Sequence, residues 1–188
     1  MLKIYSAILL LITSFHIQAN NSASAVCGNN QKAREMANLI LEHNNQKRTQ
    51  LHCNDKLNEI ALIKANLLKS EKDISHTVGH TFPNQLLRKH GYKLSKRYPV
   101  LSNQVEAIAG GEPSTQVAFK DFLDSEAHRV LLMADHAYFW QQNEMGVAYV
   151  YDKNTPYEHY WVVIFGDQDK KSTAVNIHKN FMLSPIKK

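Results

Sequence analysis

The runs Met145-Gly-Val-Ala-Tyr-Val-Tyr151 and His159-Tyr-Trp-Val-Val-Ile-Phe165 decide the fold. Both are rich in aromatic and β-branched side chains, which suit a pleated, packed surface. The stretch Asp152-Lys-Asn-Thr-Pro-Tyr157 between them supplies turn residues, so the two runs read as an antiparallel hairpin ended by Gly166.

Upstream of the hairpin the apolar period is helical. Ala33, Met36, Ala37, Ile40 and Leu41 predict a helix over 31–45, and Leu57, Ile60, Ala61, Leu67 and Leu68 predict another over 55–69. Asn54 or Asp55 serves as the N-cap of the second. Lys64 interrupts its apolar face, and its aliphatic stem is expected to lie along the edge of that face. Gly79, Pro83, Gly91 and Pro99 break up residues 73–102 and leave room for one short helix over 84–90. Pro113-Ser114 opens a long helix through Met133, with Val117, Phe119, Phe122, Leu123, Val130 and Leu131 on its buried side. Helices followed by a paired hairpin give an α+β domain in which helices cover an antiparallel sheet.

The chain begins with Met1-Leu2-Lys3 and an apolar run from Ile4 to Phe15, followed by Ala23-Ser24-Ala25. This pattern predicts a signal peptide over 1–25, with Ala19 marking a second cleavage position and a run too short to span a bilayer. The expected mature chain is a single domain over 26–166 with a polar tail over 167–188, exported to the periplasm or the exterior and without a transmembrane anchor. Val26 stands where a lipid-attachment box requires a small residue, so Cys27 is not expected to carry a lipid. Cys27 and Cys53 are the only cysteines. In an exported chain they are expected to form one disulfide worth about 3 to 4 kcal/mol, the alternative being two unpaired thiols. The net charge of +5 comes from scattered basic residues with no interleaved aromatics, so no nucleic-acid partner is expected.

Ser75-His76-Thr77-Val78-Gly79-His80 places two histidines four residues apart, the spacing of a helical zinc site. A zinc peptidase needs a glutamate where Thr77 stands, and Gly79 and Pro83 oppose a sustained helix. His80 is therefore expected on a loop or the surface. The stronger signals are Glu106, flanked by apolar residues, and Ser125-Glu-Ala-His-Arg129. A buried carboxylate has to find a cation, a donor or a metal. A structural salt bridge would satisfy Glu106 equally well.

Asp55-x-Leu57-x-x-x-Ala61, Ser75-His76, Gly91-Tyr92, Glu106-Ala-Ile-Ala-Gly110, Phe122-Leu-x-Ser125-x-x-His128-Arg129, Glu144-Met-Gly-Val-Ala148 and Tyr160-Trp-Val-Val-Ile-Phe165 follow one another in this order. Together they resemble the sequential blocks of the bacterial CAP superfamily. These are the SCP-like domains of the cysteine-rich secretory, antigen 5 and pathogenesis-related type. The resemblance spans about 43–166. It implies an exported three-layer α-β-α sandwich with a cleft of two histidines and two acidic residues, which in some members binds zinc.

His76 and His128 match the cleft histidines, and Glu106 matches the glutamate of a Gly-Glu-Asn block whose neighbours are here Val105 and Ala107. The other acidic position falls nearer Ser125. Glu126 lies beside it, about 100° round a helix. The segment 130–142 is longer than the bacterial pattern.

The resemblance implies a binding or interaction module for a lipid, peptide or protein ligand, with His76, His128 and Glu106 as the metal set if zinc binds and Glu126 as a fourth group. The alternative is a zinc-dependent peptidase or esterase in which Glu106 takes a proton from zinc-bound water. A Ser125–His128 mechanism lacks an oxyanion loop. A third class is a structural envelope protein whose basic tail touches anionic surfaces.

Overall fold

The structure, a computed structural model, describes residues 26–169. The expected signal peptide over 1–25 and positions 170–188 of the expected tail lie outside the described residues. Among the described residues the architecture is α+β, with five α-helices, two short 3-10 turns and a four-stranded sheet.

Helix α1 (Gln31–Leu41) starts where the Asn30 side chain accepts from the Ala33 N–H, and buries Ala33, Met36, Ala37 and Ile40. Strand β1 (His52–Cys53) leads directly into α2 (Asp55–Glu71), which Asn54 caps by accepting from the Leu57 N–H. A short α3 (Pro83–Lys89) has proline in its first turn. Strand β2 (Glu106–Gly110) was not expected from its sequence. After it, the long helix expected through Met133 is two, α4 (Thr115–Asp124) and α5 (Glu126–Met133). Ser125 breaks them apart, because it takes extended dihedrals (φ −82°, ψ 116°) while its N–H still bonds the Asp121 carbonyl. Val117, expected on the buried side, is exposed. The hairpin forms as read, with β3 (Glu144–Tyr151) antiparallel to β4 (His159–Gly166).

The strand order is β1-β3-β4-β2. The sheet is mixed and not wholly antiparallel: β2 and β3 run antiparallel to β4, while the two residues of β1 run parallel to β3. Alternation along the strands feeds two separate apolar clusters. Met145, Val147, Trp161, Val163, Phe165 and Ala107 join residues of α1, α4 and α5. Ala148, Tyr160, Val162, Ile164 and Ile108 join residues of α2 and α3. With helices against each face, the central strand carries unbroken apolar sequence, as in Trp-Val-Val-Ile-Phe.

The two cysteines are joined, with Cα atoms 5.1 Å apart, which ties the chain before α1 to β1. Arg48 holds a second junction. Its buried guanidinium donates to the carbonyls of Leu131 (2.7 Å) and Leu132 (2.8 Å) and to Gln142 Oε1 (2.9 Å), and it lies 4.2 Å from the centre of the Phe165 ring. A cation at the last carbonyls of α5 complements the negative end of that helix. The packed domain continues past β4: Gln168 bridges to Leu94, and the Tyr98 hydroxyl donates to Asp167 at 2.5 Å.

Helix α2 crosses β3 at Gly146, where an added Cβ would come within 2.1 Å of the Leu57 carbonyl carbon. Backbone atoms cannot yield as a side-chain tip can. Gly146→Ala is therefore expected to destabilise the fold by at least about 2 kcal/mol, read as a lowered urea midpoint at unchanged slope.

Candidate functional site

Strand β2 is an edge strand, so groups carried on either face of the sheet can meet over it. Glu106 begins the strand, in register with Ile164. Its side chain is fully buried and points to the α2 side, like Ile108 two residues on. On α2 the face that packs there is Leu57, Ile60, Ala61, Lys64 and Leu68, so the one lysine on the apolar stripe is brought to the carboxylate.

Lys64 does not lie along an edge. It is 1% exposed, its Nζ is 3.4 Å from Glu106 Oε1, and it donates to the His76 carbonyl at 2.6 Å. Burial pulls its ammonium below the ordinary lysine range; the charges of Glu106 and, more weakly, Asp73 oppose that pull.

His76 follows α2 in a loop and meets Glu106 directly, with Nδ1 to Oε1 at 2.8 Å. Its side chain is 39% exposed, in contrast to the fully buried Glu106. Asn103 completes the arrangement. Its Oδ1 accepts from the backbone N–H groups of Val105 (3.2 Å) and Glu106 (2.9 Å). Its Nδ2 donates to the Glu106 carbonyl (3.0 Å) and lies 3.1 Å from His76 Nδ1. Neither Asn103 nor the inward course of Lys64 is expected from the sequence pattern. The available signals were an asparagine just ahead of a β-segment and a lysine centred on an apolar helix face.

Helix α5 packs on the other face of the sheet and carries His128. The His128 ring lies edge-on to Phe122 at 5.2 Å. Burial first, and the neighbouring His76 second, push its pKa below the ordinary histidine range. The two imidazoles, 52 residues apart in sequence, are near enough for the charge of one to bear on the other. Glu126 is not drawn in: it is exposed in the first turn of α5, where its charge suits the helix N-terminus. His80 is exposed with φ 53°, and Gly79 before it has φ 69°, so the local His76–His80 pair shares no helix face.

Zinc in a catalytic site takes three protein ligands and keeps one open position. Among the described residues, no three His, Cys, Asp or Glu side chains are grouped as such a set. Glu106 faces Lys64 and His76 Nδ1, which places it behind the imidazole, where it can orient the ring. The residues therefore do not fit a three-ligand zinc centre that includes Glu106. What the site presents outward is the His76 imidazole.

No family model matches the chain, and no curated protein matches it. Among solved structures, it is similar to an outer surface protein of Borrelia burgdorferi, at 22% identity over 72% of this chain and 88% of that one, with a TM-score of 0.55. It is also similar to an extracellular protein containing an SCP domain from Bacillus anthracis. That likeness is 19% identity over 73% of this chain and 39% of that one, with a TM-score of 0.49. At 22% identity the likeness to the Borrelia protein is one of fold. Among the described residues no helix is long and apolar enough to cross a membrane.

The lowered His128 pKa carries a pH signature. The unfolded chain binds the proton near pH 6.5 and the folded chain only below that, so this group's contribution is fully present above pH 6.5 and is lost as the pH falls. The urea midpoint is expected to drop on acidification through that range, and His128→Gln is expected to flatten the drop.

Proposed function

We propose that this chain is an exported SCP-like domain that acts as a binding module, with a ligand received between His76 and His128. The observation that carries the reading is the contrast between the two shells of the site. A fully buried Lys64–Glu106 pair holds an imidazole that is itself 39% exposed, and His128 on α5 is partly desolvated. Buried charge is costly, and a fold that keeps it directly behind an accessible side chain is organised around that side chain. The disulfide and the sequence of the first 25 residues support export. A lipid, a peptide or a protein surface remains within this reading.

Hydrolysis has less support. Glu106 is hydrogen-bonded to His76 and is 0% exposed, so it does not reach a water on the open side of the ring.

The test compares wild type with the His76→Ala/His128→Ala double variant by calorimetry, using zinc chloride, a peptide library and phospholipid vesicles as titrants. A saturable titration at least tenfold weaker in the double variant is expected for one of the three. Equal heats in all three would sink the reading. On a peptide and ester panel, wild type and Glu106→Gln are expected to show the same background turnover.

A further inference from the structure

We propose that the edge of β3 from Val147 to Tyr151 is a strand-pairing surface for a second copy of this chain, covered by residues 26–30 while the Cys27–Cys53 bond holds them there and opened when that bond is reduced. The surface lies on the β1 side of the sheet, opposite the edge that carries Glu106, and does not depend on the binding reading above.

Strand β1 pairs with β3 only at Glu144 and Met145, so the rest of that edge has no strand beside it. Edges of this kind are normally blunted by lysine, proline or a bulge, because their free backbone groups are a template for another chain. Gly146-Val-Ala-Tyr-Val-Tyr151 contains no charged residue and no proline, and its β-branched and aromatic side chains favour pairing. Three asparagine side chains stand where a strand would. Asn58 Oδ1 accepts from the Val147 N–H at 3.1 Å. The Asn29 carboxamide accepts from the Tyr149 N–H and donates to the Tyr149 carbonyl, both at 3.0 Å, which reproduces the two-bond exchange of an antiparallel pair. Asn30 Nδ2 donates to the same carbonyl at 2.8 Å.

Asn29 and Asn30 belong to the short segment that Cys27 ties to Cys53. Asn58 fastens it further, accepting from the Gly28 N–H at 3.0 Å and donating to the Val26 carbonyl at 3.1 Å. Both cysteines line an open groove with Arg34 and Leu51, so a small dithiol can reach them. One thiolate of the dithiol attacks a sulfur of the pair, the Cys27–Cys53 bond breaks as a mixed disulfide forms, and the second thiol closes the reductant's own disulfide. The electron pair and two protons end on Cys27 and Cys53 as two thiols. The segment then keeps only its asparagine bonds at this edge, and a neighbouring strand replaces those bond for bond. Val147 and Tyr149 point their N–H groups outward, and Tyr151 follows in the same phase. A two-fold axis beside Tyr149 therefore sets Val147 of each copy opposite Tyr151 of the other. Such a contact is isologous and closes at two copies.

The experiment is sedimentation equilibrium of the mature chain, residues 26–188, from micromolar to millimolar concentration, oxidised and in excess dithiothreitol. The oxidised protein is expected to stay monomeric, and the reduced protein to double its weight-average mass as concentration rises. Tyr151→Pro is expected to abolish the reduced dimer: Tyr151 is 53% exposed, and proline is tolerated on an edge strand where the N–H faces away from the sheet. Near-UV circular dichroism reads whether the reduced chain keeps its packing. If it does not, Cys27→Ala/Cys53→Val makes the same cut with apolar side chains in place of the thiols, and is expected to dimerise without reductant. A folded unlatched chain that stays monomeric, a dimer that survives Tyr151→Pro, an oxidised dimer, or loss of packing in both unlatched forms would overturn the proposal.

Discussion

The fold is organised around one buried ion pair. Lys64 and Glu106 are each all but inaccessible, and each comes from a different element, α2 and the first residue of β2. Removing one partner of such a pair leaves an uncompensated charge and costs about 3 to 5 kcal/mol, whereas replacing both with apolar groups is often neutral. The pair is therefore a weak source of stability and a strong source of specificity. It permits one register of β2 against α2, because a slip by one residue would send Glu106 to the opposite face of the sheet, among the residues of α1, α4 and α5.

Two further constraints fix what surrounds that pair. Gly146 lets the α2 backbone lie directly on β3, which sets the depth at which Lys64 enters the interior. On the other face, Arg48 binds the last carbonyls of α5 and the Gln142 side chain, and Gln142 in turn donates to the Gln104 carbonyl at 2.7 Å. Gln104 lies between Asn103 and the strand that starts at Glu106. The helix that carries His128 and the loop that carries Asn103 are thus held by one polar chain. Its members are buried or half-buried, where such bonds compete little with water.

The hairpin was legible in the sequence because β-branched and aromatic side chains are concentrated in two runs of matching length around one set of turn residues. Helices α1 and α2 were legible from their 3.6-residue period and, for α2, from the asparagine that caps it. Strand β1 was not: two residues carry no period. Strand β2 was hidden because Glu-Ala-Ile-Ala-Gly is poor in β-formers, and what makes it a strand is its pairing with β4. The break at Ser125 was hidden because the apolar positions on either side continue a helical phase. For the site, block order brought His76, Glu106 and His128 into one set, and the structure joins His76 to Glu106 at the start of β2 and carries His128 on α5. Lys64 was misjudged because a lysine on an apolar stripe ordinarily extends its stem to water. Only a carboxylate brought from 42 residues away in sequence gives it a reason to stay inside.

The two imidazoles are held by different physics, and this decides how they can work together. His76 has a hydrogen-bonded ring nitrogen backed by a buried charge pair, so its orientation is set before any ligand arrives. His128 has no side-chain hydrogen bond among those the described residues make, and its ring rests edge-on against Phe122. Packing fixes where that ring lies without specifying which nitrogen is protonated. A ligand that enters between them would meet one ring held by hydrogen bonds and one held by packing. The hydrogen-bonded ring is the more rigid of the two, and the packed ring keeps the freedom to turn about its own axis.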